Sequence, residues 1–222
     1  RDVAPSRGLG DVYKRQTVYP LTYIPDSIRY YTNGTLVAAP AVGAAAPLTL
    51  TGISVPAGGN ATIIYETTTN EFTPRGNEDS VTNTVTVTGA GLTNAVTATE
   101  SISPVAAPDL AITKSVSPSI VAENGQITYT FLIENYGNTE ASASDNVIIT
   151  DTFNPILTGI TVTYNGNAWT APASYTYNEA TGEFATVAGQ ITVPAATFTQ
   201  NTATGVITTT PGTATVTVTG TI

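Results

Sequence analysis

Three polar residues stand at positions where the strand pattern calls for apolar ones, and they carry the chain's clearest opportunity for chemistry. Lys114 shares parity with Leu110, Ile112 and Val116; Asp151 shares it with Val147, Ile149 and Phe153; Asn135 shares it with Ile127, Tyr129, Phe131 and Ile133. Successive side chains of a β-strand point to opposite faces, so all three are expected to converge on one apolar interior. A charge buried there is disfavoured by several kcal/mol, roughly, unless it is paired. A Lys114–Asp151 ion pair is one resolution, and a lysine whose stem lies on the apolar face while its head reaches water is another.

The rest of the composition closes off most other chemistry. The 222 residues include no His, no Cys and no Met. There is therefore no imidazole for a Ser-His-Asp triad, no thiol nucleophile and no Cys/His zinc site. Sixteen acidic residues against seven basic ones give a net charge of -9. Such a chain lacks the cationic footprint that phosphate backbones or anionic bilayers require, so nucleic-acid and membrane-surface partners are not expected. The acidic residues are scattered, with Glu71, Glu78 and Asp79 near one loop and Glu140 and Asp145 near another. No Asp-x-Asp-x-Asp loop gathers the six or more oxygens calcium needs, and nothing marks a carboxylate pair for glycoside hydrolysis. No catalytic, cofactor-binding or metal-binding residue is assigned, and no enzymatic role is expected. The sole tryptophan, Trp169, lies near Tyr164, Tyr175 and Tyr177. An aromatic cluster beside a hairpin can stack on sugar rings, or it can be cross-strand packing.

The elements that must position these residues are strands. Threonine alternates with valine in Thr84-Val85-Thr86-Val87-Thr88 and again in Thr215-Val216-Thr217-Val218-Thr219. That period of two puts methyl groups on one face and hydroxyls on the other, and Gly or Pro punctuation recurs throughout, so the chain reads as all-β and antiparallel. Asn165-Gly166 predicts a two-residue hairpin turn with positive φ, and Gly182 a second hairpin between Tyr175–Tyr177 and Glu183–Ala185. Asn124-Gly125 marks another turn.

Residues 1–16, RDVAPSRGLGDVYKRQ, hold four of the seven basic residues, and Asp11–Gln16 matches the translation of a transposon mosaic end used in sequencing libraries. This segment is expected to be adapter read-through and is set apart from the fold. The remainder, 17–222, keeps Arg29, Arg75 and Lys114 against fourteen acidic residues, a net charge of -11. Together with the missing Met, this suggests a fragment of a longer protein. Pro104 and Pro108, two prolines among the small residues of Ser101–Asp109, mark a domain boundary, with a semi-rigid linker at 106–109. The expected organisation is thus a truncated repeat at 17–105, the linker, and a second repeat at 110–222 of ordinary sandwich size. Ile53–Ala57 echoes Ile191–Ala195, and Thr84–Gly89 echoes Thr215–Gly220, which argues for an internal repeat.

Four runs make a resemblance specific: Pro108–Lys114, Gly125–Phe131, Glu134–Asn138 and Val147–Phe153. They resemble the conserved-repeat family called Domain of Unknown Function 11, whose members are immunoglobulin-like β-sandwich repeats along large bacterial surface proteins. The resemblance covers residues 108 to 157 well and the rest more loosely. The region 165–210 is longer than its counterpart before Ser80, and the first copy lacks the Lys-bearing strand. The resemblance implies tandem immunoglobulin-like sandwiches at the bacterial surface or secreted from it. The implied role is a non-catalytic stalk whose partners are neighbouring repeats, or alternatively an adhesive module that binds a glycan or protein. The Lys114, Asp151 and Asn135 trio also resembles pilin-type domains, in which a lysine amine attacks an asparagine carboxamide to form an isopeptide bond. The usual acceptor position, aligned with Asn83, holds Ala214 here, so Asn135 would have to serve.

Overall fold

A computed structural model describes residues 19–222; the segment 1–16 lies outside the described residues. The chain is all-β, with no α-helix among the described residues. The described residues divide into two units: the first holds 19–75 together with 79–103 and 199–208, and the second holds 76–78, 104–198 and 209–222.

The strands of the first half are β1 (Leu21–Tyr23), β2 (Arg29–Thr32), β3 (Thr35–Val37), β4 (Ala41–Ala45), β5 (Leu48–Thr51), β6 (Ala61–Ile64), β7 (Thr67–Thr69), β8 (Val81–Val87) and β9 (Val96–Ile102). They form small sheets: β1 with β7, β4 with β5, β8 with β9, and β3-β2-β6 with β2 central. Few apolar side chains are enclosed; Ile28, Tyr30 and Val81 are buried, while Ile53, Val55, Val85 and Val87 are exposed.

The second half contains β10 (Leu110–Ser117), β11 (Gln126–Asn135), β12 (Thr150–Thr152), β13 (Thr158–Tyr164), β14 (Asn167–Trp169), β15 (Tyr175–Asn178), β16 (Glu183–Thr186), β17 (Thr197–Gln200), β18 (Ile207–Thr210) and β19 (Gly212–Thr221). A five-stranded sheet runs β10-β11-β19-β13-β14, and a three-stranded sheet runs β12-β16-β15. Their inner faces meet in one core that includes Phe131, Ile133, Phe153, Val162, Phe184, Val216 and Val218. Rings cross the interface between the sheets: Tyr129 stacks on Phe153 at 4.9 Å and Phe131 on Phe184 at 6.4 Å. This is a sandwich-like packing of two antiparallel sheets.

The Thr/Val alternation explains the central strands. Along β19, Ala214, Val216 and Val218 are at most 1% exposed, and the threonines between them face outward. There Thr128 and Thr219 share a hydrogen bond of 2.8 Å, and Thr163 and Thr217 one of 2.6 Å. Each such cross-strand pair contributes about 0.2–1 kcal/mol. The outer face is thus stitched by hydroxyls while the inner face packs by methyl groups.

One device recurs in both units. Asn165 and Gly166 have φ of 47° and 80°, joining β13 to β14; Asn33 and Gly34 have φ of 48° and 78°, joining β2 to β3. Both are the positive-φ two-residue turns that Asn-Gly favours. Each turn asparagine also grips the next strand over. Asn165 N–H donates to Thr215 O and its Oδ1 accepts from Thr215 N–H at 2.8 Å, while Asn33 makes the same pair of bonds to Asn60, at 3.1 and 2.9 Å. A tyrosine on each hairpin's long strand then clamps the matched segment: the Tyr164 hydroxyl donates to Thr192 O and accepts from Thr192 N–H, and the Tyr30 hydroxyl does the same with Ser54. Ser54 and Thr192 lie at equal places in the Ile53–Ala57 and Ile191–Ala195 echo. The strand gripped beside them is β6 in one unit and β19 in the other. The expected match of Thr84–Gly89 to Thr215–Gly220 is therefore corrected: β8 pairs only with β9 and does not occupy the place of β19.

Phe184 is 2% exposed and touches rings of Phe131, Phe153 and Tyr175. Phe184→Ala is expected to destabilise the second unit by about 3–5 kcal/mol. Ile120→Ala, at an 89% exposed site, should change it by no more than about 0.5 kcal/mol. Denaturant unfolding followed by the fluorescence of Trp169 reads this unit alone, because the chain has no other tryptophan.

Candidate functional site

Strand β10 is the outer strand of the five-stranded sheet and pairs with β11 from Leu110 opposite Asn135 to Ser117 opposite Thr128. The expected parity holds, since Lys114 lies opposite Phe131 and Ile112 opposite Ile133. The expected burial does not. Leu110, Ile112 and Val116 are 39–55% exposed, because β10 sits at the sheet edge and packs against few other side chains.

Lys114 takes advantage of that edge. Its ammonium contacts a carboxylate oxygen of Asp151 on β12, in the facing sheet. It also lies over the rings of Tyr129, Phe153 and Phe131, with centroids 4.5, 5.5 and 5.6 Å away. The Lys114 side chain is 40% exposed and that of Asp151 19%. At this exposure the ion pair contributes no more than about 1 kcal/mol, and the cation–π contacts add about 0.5–1 kcal/mol. The pair is an inter-sheet tie at the open flank of the sandwich.

Asn135 is elsewhere, so the three expected residues do not converge. It stands four pairs from Lys114 along β11, about 13 Å at the usual rise of a strand. An attack of the Lys114 amine on its carboxamide is excluded by that distance. Nor is the amide available, because Asn135 is 0% exposed and fully engaged. Its Oδ1 accepts from Asp109 N–H at 3.0 Å and Gly137 N–H at 2.9 Å, and its Nδ2 donates to the carbonyls of Thr139, Pro194 and Val193 at 2.8, 3.1 and 3.3 Å. Three chain segments meet at one side chain. Ala107 N–H adds a bond to Asn138 Oδ1 at 3.1 Å, so the end of the expected linker is fastened to the second unit. Beside it, the Glu134 carboxylate, with minor help from burial, raises the Tyr136 phenol above its ordinary 10.0.

The four aromatics around the hairpin are divided between two sheets. Tyr164 and Trp169 stack at 4.9 Å on the five-stranded sheet. Tyr175 packs on Phe184 from the three-stranded sheet, and Tyr177 lies near Phe153, its hydroxyl donating to Leu157 O at 2.7 Å and accepting from Leu157 N–H at 3.0 Å. No single aromatic platform results. A concavity of about 550 Å³ runs along β12, β15 and β16 and is lined by Asp151, Tyr177 and Glu183 among others. Asp151 opposes Phe184 while Glu183 opposes Thr152, so the two carboxylates belong to opposite faces of the sheet. Among the described residues no three His, Cys, Asp or Glu side chains gather as a metal-ligand set. No helix among them is long and apolar enough to cross a membrane.

Fold and site together define an all-β protein with sandwich-like packing, in which polar side chains tie strands and loops together. No family model matches the chain, and no curated protein or solved structure matches it either. The tyrosine clamps and the Asn135 hub were not anticipated as such; the Tyr-Asn-Gly order at 164–166 carries a trace of the former, since a tyrosine flanking a tight turn can reach a neighbouring loop.

Asn135→Ala strands buried N–H and C=O groups and is expected to destabilise the second unit by about 3–4 kcal/mol. Lys114→Met should cost about 1 kcal/mol or less, with a smaller effect at high salt. Chemical denaturation at two ionic strengths measures both. Intact mass of the purified chain should equal the unmodified mass; a species lighter by one water or one ammonia would show a covalent Lys114 bond instead of the ion pair.

Proposed function

We infer that this chain is a non-catalytic structural stretch of a bacterial cell-surface or secreted protein, built from tandem immunoglobulin-like repeats of the Domain of Unknown Function 11 kind. The observation that carries this reading is the recurrence of one hydrogen-bonded device in both units. An Asn-Gly turn grips the adjacent strand, and a tyrosine clamps both backbone groups of one residue in the matched Ile-x-Val-Pro-Ala segment. The residues on which the family resemblance rests act in the same sense. Lys114 and Asp151 tie sheet to sheet, and Asn135 ties three segments together. The partners on this reading are neighbouring repeats of the same protein, and the mechanism is load bearing and spacing.

The adhesive alternative gains no support from the aromatic residues, since Trp169 has one ring face on Tyr164 and packs against the core. Pulling the chain between its ends in a single-molecule force experiment tests the spacer reading. A discrete unfolding event releasing roughly 400 Å of contour is expected for the 110 or so residues of the second unit. A featureless extension, or glycan-array binding that is lost in Trp169→Ala, would overturn it in favour of the adhesive module.

A further inference from the structure

The first unit is not made from one stretch of chain, since residues 199–208, far along in the second half, belong to it. They come from the hairpin of β17 and β18, whose strands pair only with each other. That hairpin has no counterpart in the first half. Asn33 grips Asn60 and Asn165 grips Thr215, so those two places match, as do Ala57 and Ala195. Between them the first half has only Gly58 and Gly59, whereas the second half has the nineteen residues 196–214. The extra length is the hairpin, and its outer part, 199–208, lies outside the unit that carries it.

Each side of its contact is a turn held by its own asparagine. At the hairpin tip, Asn201 Oδ1 accepts from Ala203 N–H at 2.8 Å and Thr204 N–H at 3.0 Å, while its backbone bonds Val206 O at 2.9 Å and Gly205 N–H at 2.7 Å. At the corner 70–73, Asn70 Oδ1 accepts from Phe72 N–H at 3.0 Å and its Nδ2 donates to Tyr19 O at 2.8 Å. The buried Thr73 hydroxyl donates to Pro20 O and accepts from Asn70 N–H. A backbone group of each element then meets the other: Ile207 N–H donates to Glu71 O at 2.8 Å, a bond with both ends inside the first unit. Val206 and Ile207 are half-buried. We propose that β17–β18 is a latch between consecutive repeats, the hairpin of one docking on the Asn70–Thr73 corner of the repeat before it. The latch rests on the tandem-repeat reading and names the surface by which one repeat recognises its neighbour. A contact this small is weak between separate molecules, but a tethered hairpin acts at an effective concentration of about millimolar.

Disulfide trapping in the full chain tests this, against a background without cysteine. Mild oxidation of the double variant Glu71→Cys, Ile207→Cys should close a disulfide within one chain, because a disulfide needs Cα atoms within roughly 7 Å of each other. Closure should be at least about tenfold faster than in Glu71→Cys, Thr202→Cys, whose second cysteine sits at the hairpin tip. In a second variant of the full chain, Gly-Gly replaces 198–209, as at Gly58-Gly59, and removes the latch. Amide exchange at 66–73 should then quicken roughly fivefold, the equivalent of one net hydrogen bond, while the denaturant transition read by Trp169 stays where it is. Equal closure rates in the two cysteine pairs, disulfides only between chains, unchanged exchange at 66–73, or a shifted Trp169 transition would each overturn the latch. The second unit's discrete unfolding under force does not require the hairpin, so failure of the latch and failure of the spacer reading are told apart.

Discussion

The second unit depends on the buried amide of Asn135. At the end of β11 the chain must leave the sheet, receive the entering segment at Asp109 and pass the segment at Val193–Pro194, all without a disulfide, since there is no cysteine. One carboxamide supplies two acceptor and two donor sites, and every partner is backbone. The site does not rely on other side chains being present. It relies on backbones coming close, and two glycines permit that. A Cβ on Gly137 would lie 2.2 Å from Ala107 O, and one on Gly212 would lie 1.9 Å from Pro194 O. Ala141 and Val193, bridged to each other beside the hub, are 0% exposed, so the amide sits where bulk solvent does not reach.

The Lys114–Asp151 tie is of a different kind. It is partly solvated, and its worth lies in geometry more than in free energy. Strand β10 is an edge strand whose hydrogen bonds to β11 are those of the backbone ladder, and its apolar side chains are incompletely covered. A long amphipathic side chain suits this place: its stem lies along the rings of Tyr129, Phe131 and Phe153, while its head meets a carboxylate of the facing sheet. A leucine there would leave Asp151 facing the aromatic rings without a counter-charge.

The all-β class, the Asn165-Gly166 and Gly182 hairpins and the parity of β10, β11 and β12 were legible in the sequence, because each follows from a period of two and from turn chemistry that acts over a few residues. The Lys114–Asp151 contact was legible for the same reason: both residues broke an apolar parity. What parity could not provide was position along the strand. Asn135 and Lys114 face the same side of one sheet, yet register sets them four pairs apart, and register depends on the turn at 118–125 and on partners far away in sequence. The likeness of Thr84–Gly89 to Thr215–Gly220 misled for a related reason. Any Thr/Val strand resembles any other, whereas the turn asparagine's two bonds to Asn60 or Thr215 identify which strand lies beside it.

Alternation decides which face is apolar, and the opposing layer decides whether that face is buried. Ile191 and Val193 are 0% exposed, while Ile53 and Val55, at the same places in the echoed segment, are 42% and 60% exposed. The local pattern is the same in both, and so is the clamp from a tyrosine hydroxyl to the residue between them. The difference is that the second unit closes a three-stranded sheet carrying Phe153 and Phe184 over its five-stranded one, whereas strands β1 to β9 of the first half form four small sheets, and only three apolar side chains of that half are buried among the described residues. Hydrogen bonds of one kind, from a tyrosine one residue before the turn asparagine in one unit and three before it in the other, can therefore fix a local backbone path with or without a core beneath it. Stability then differs between the units even though their local devices agree, since about 1.5–3 kcal/mol accompanies each large apolar side chain taken fully out of water, while a net hydrogen bond contributes about 1 kcal/mol.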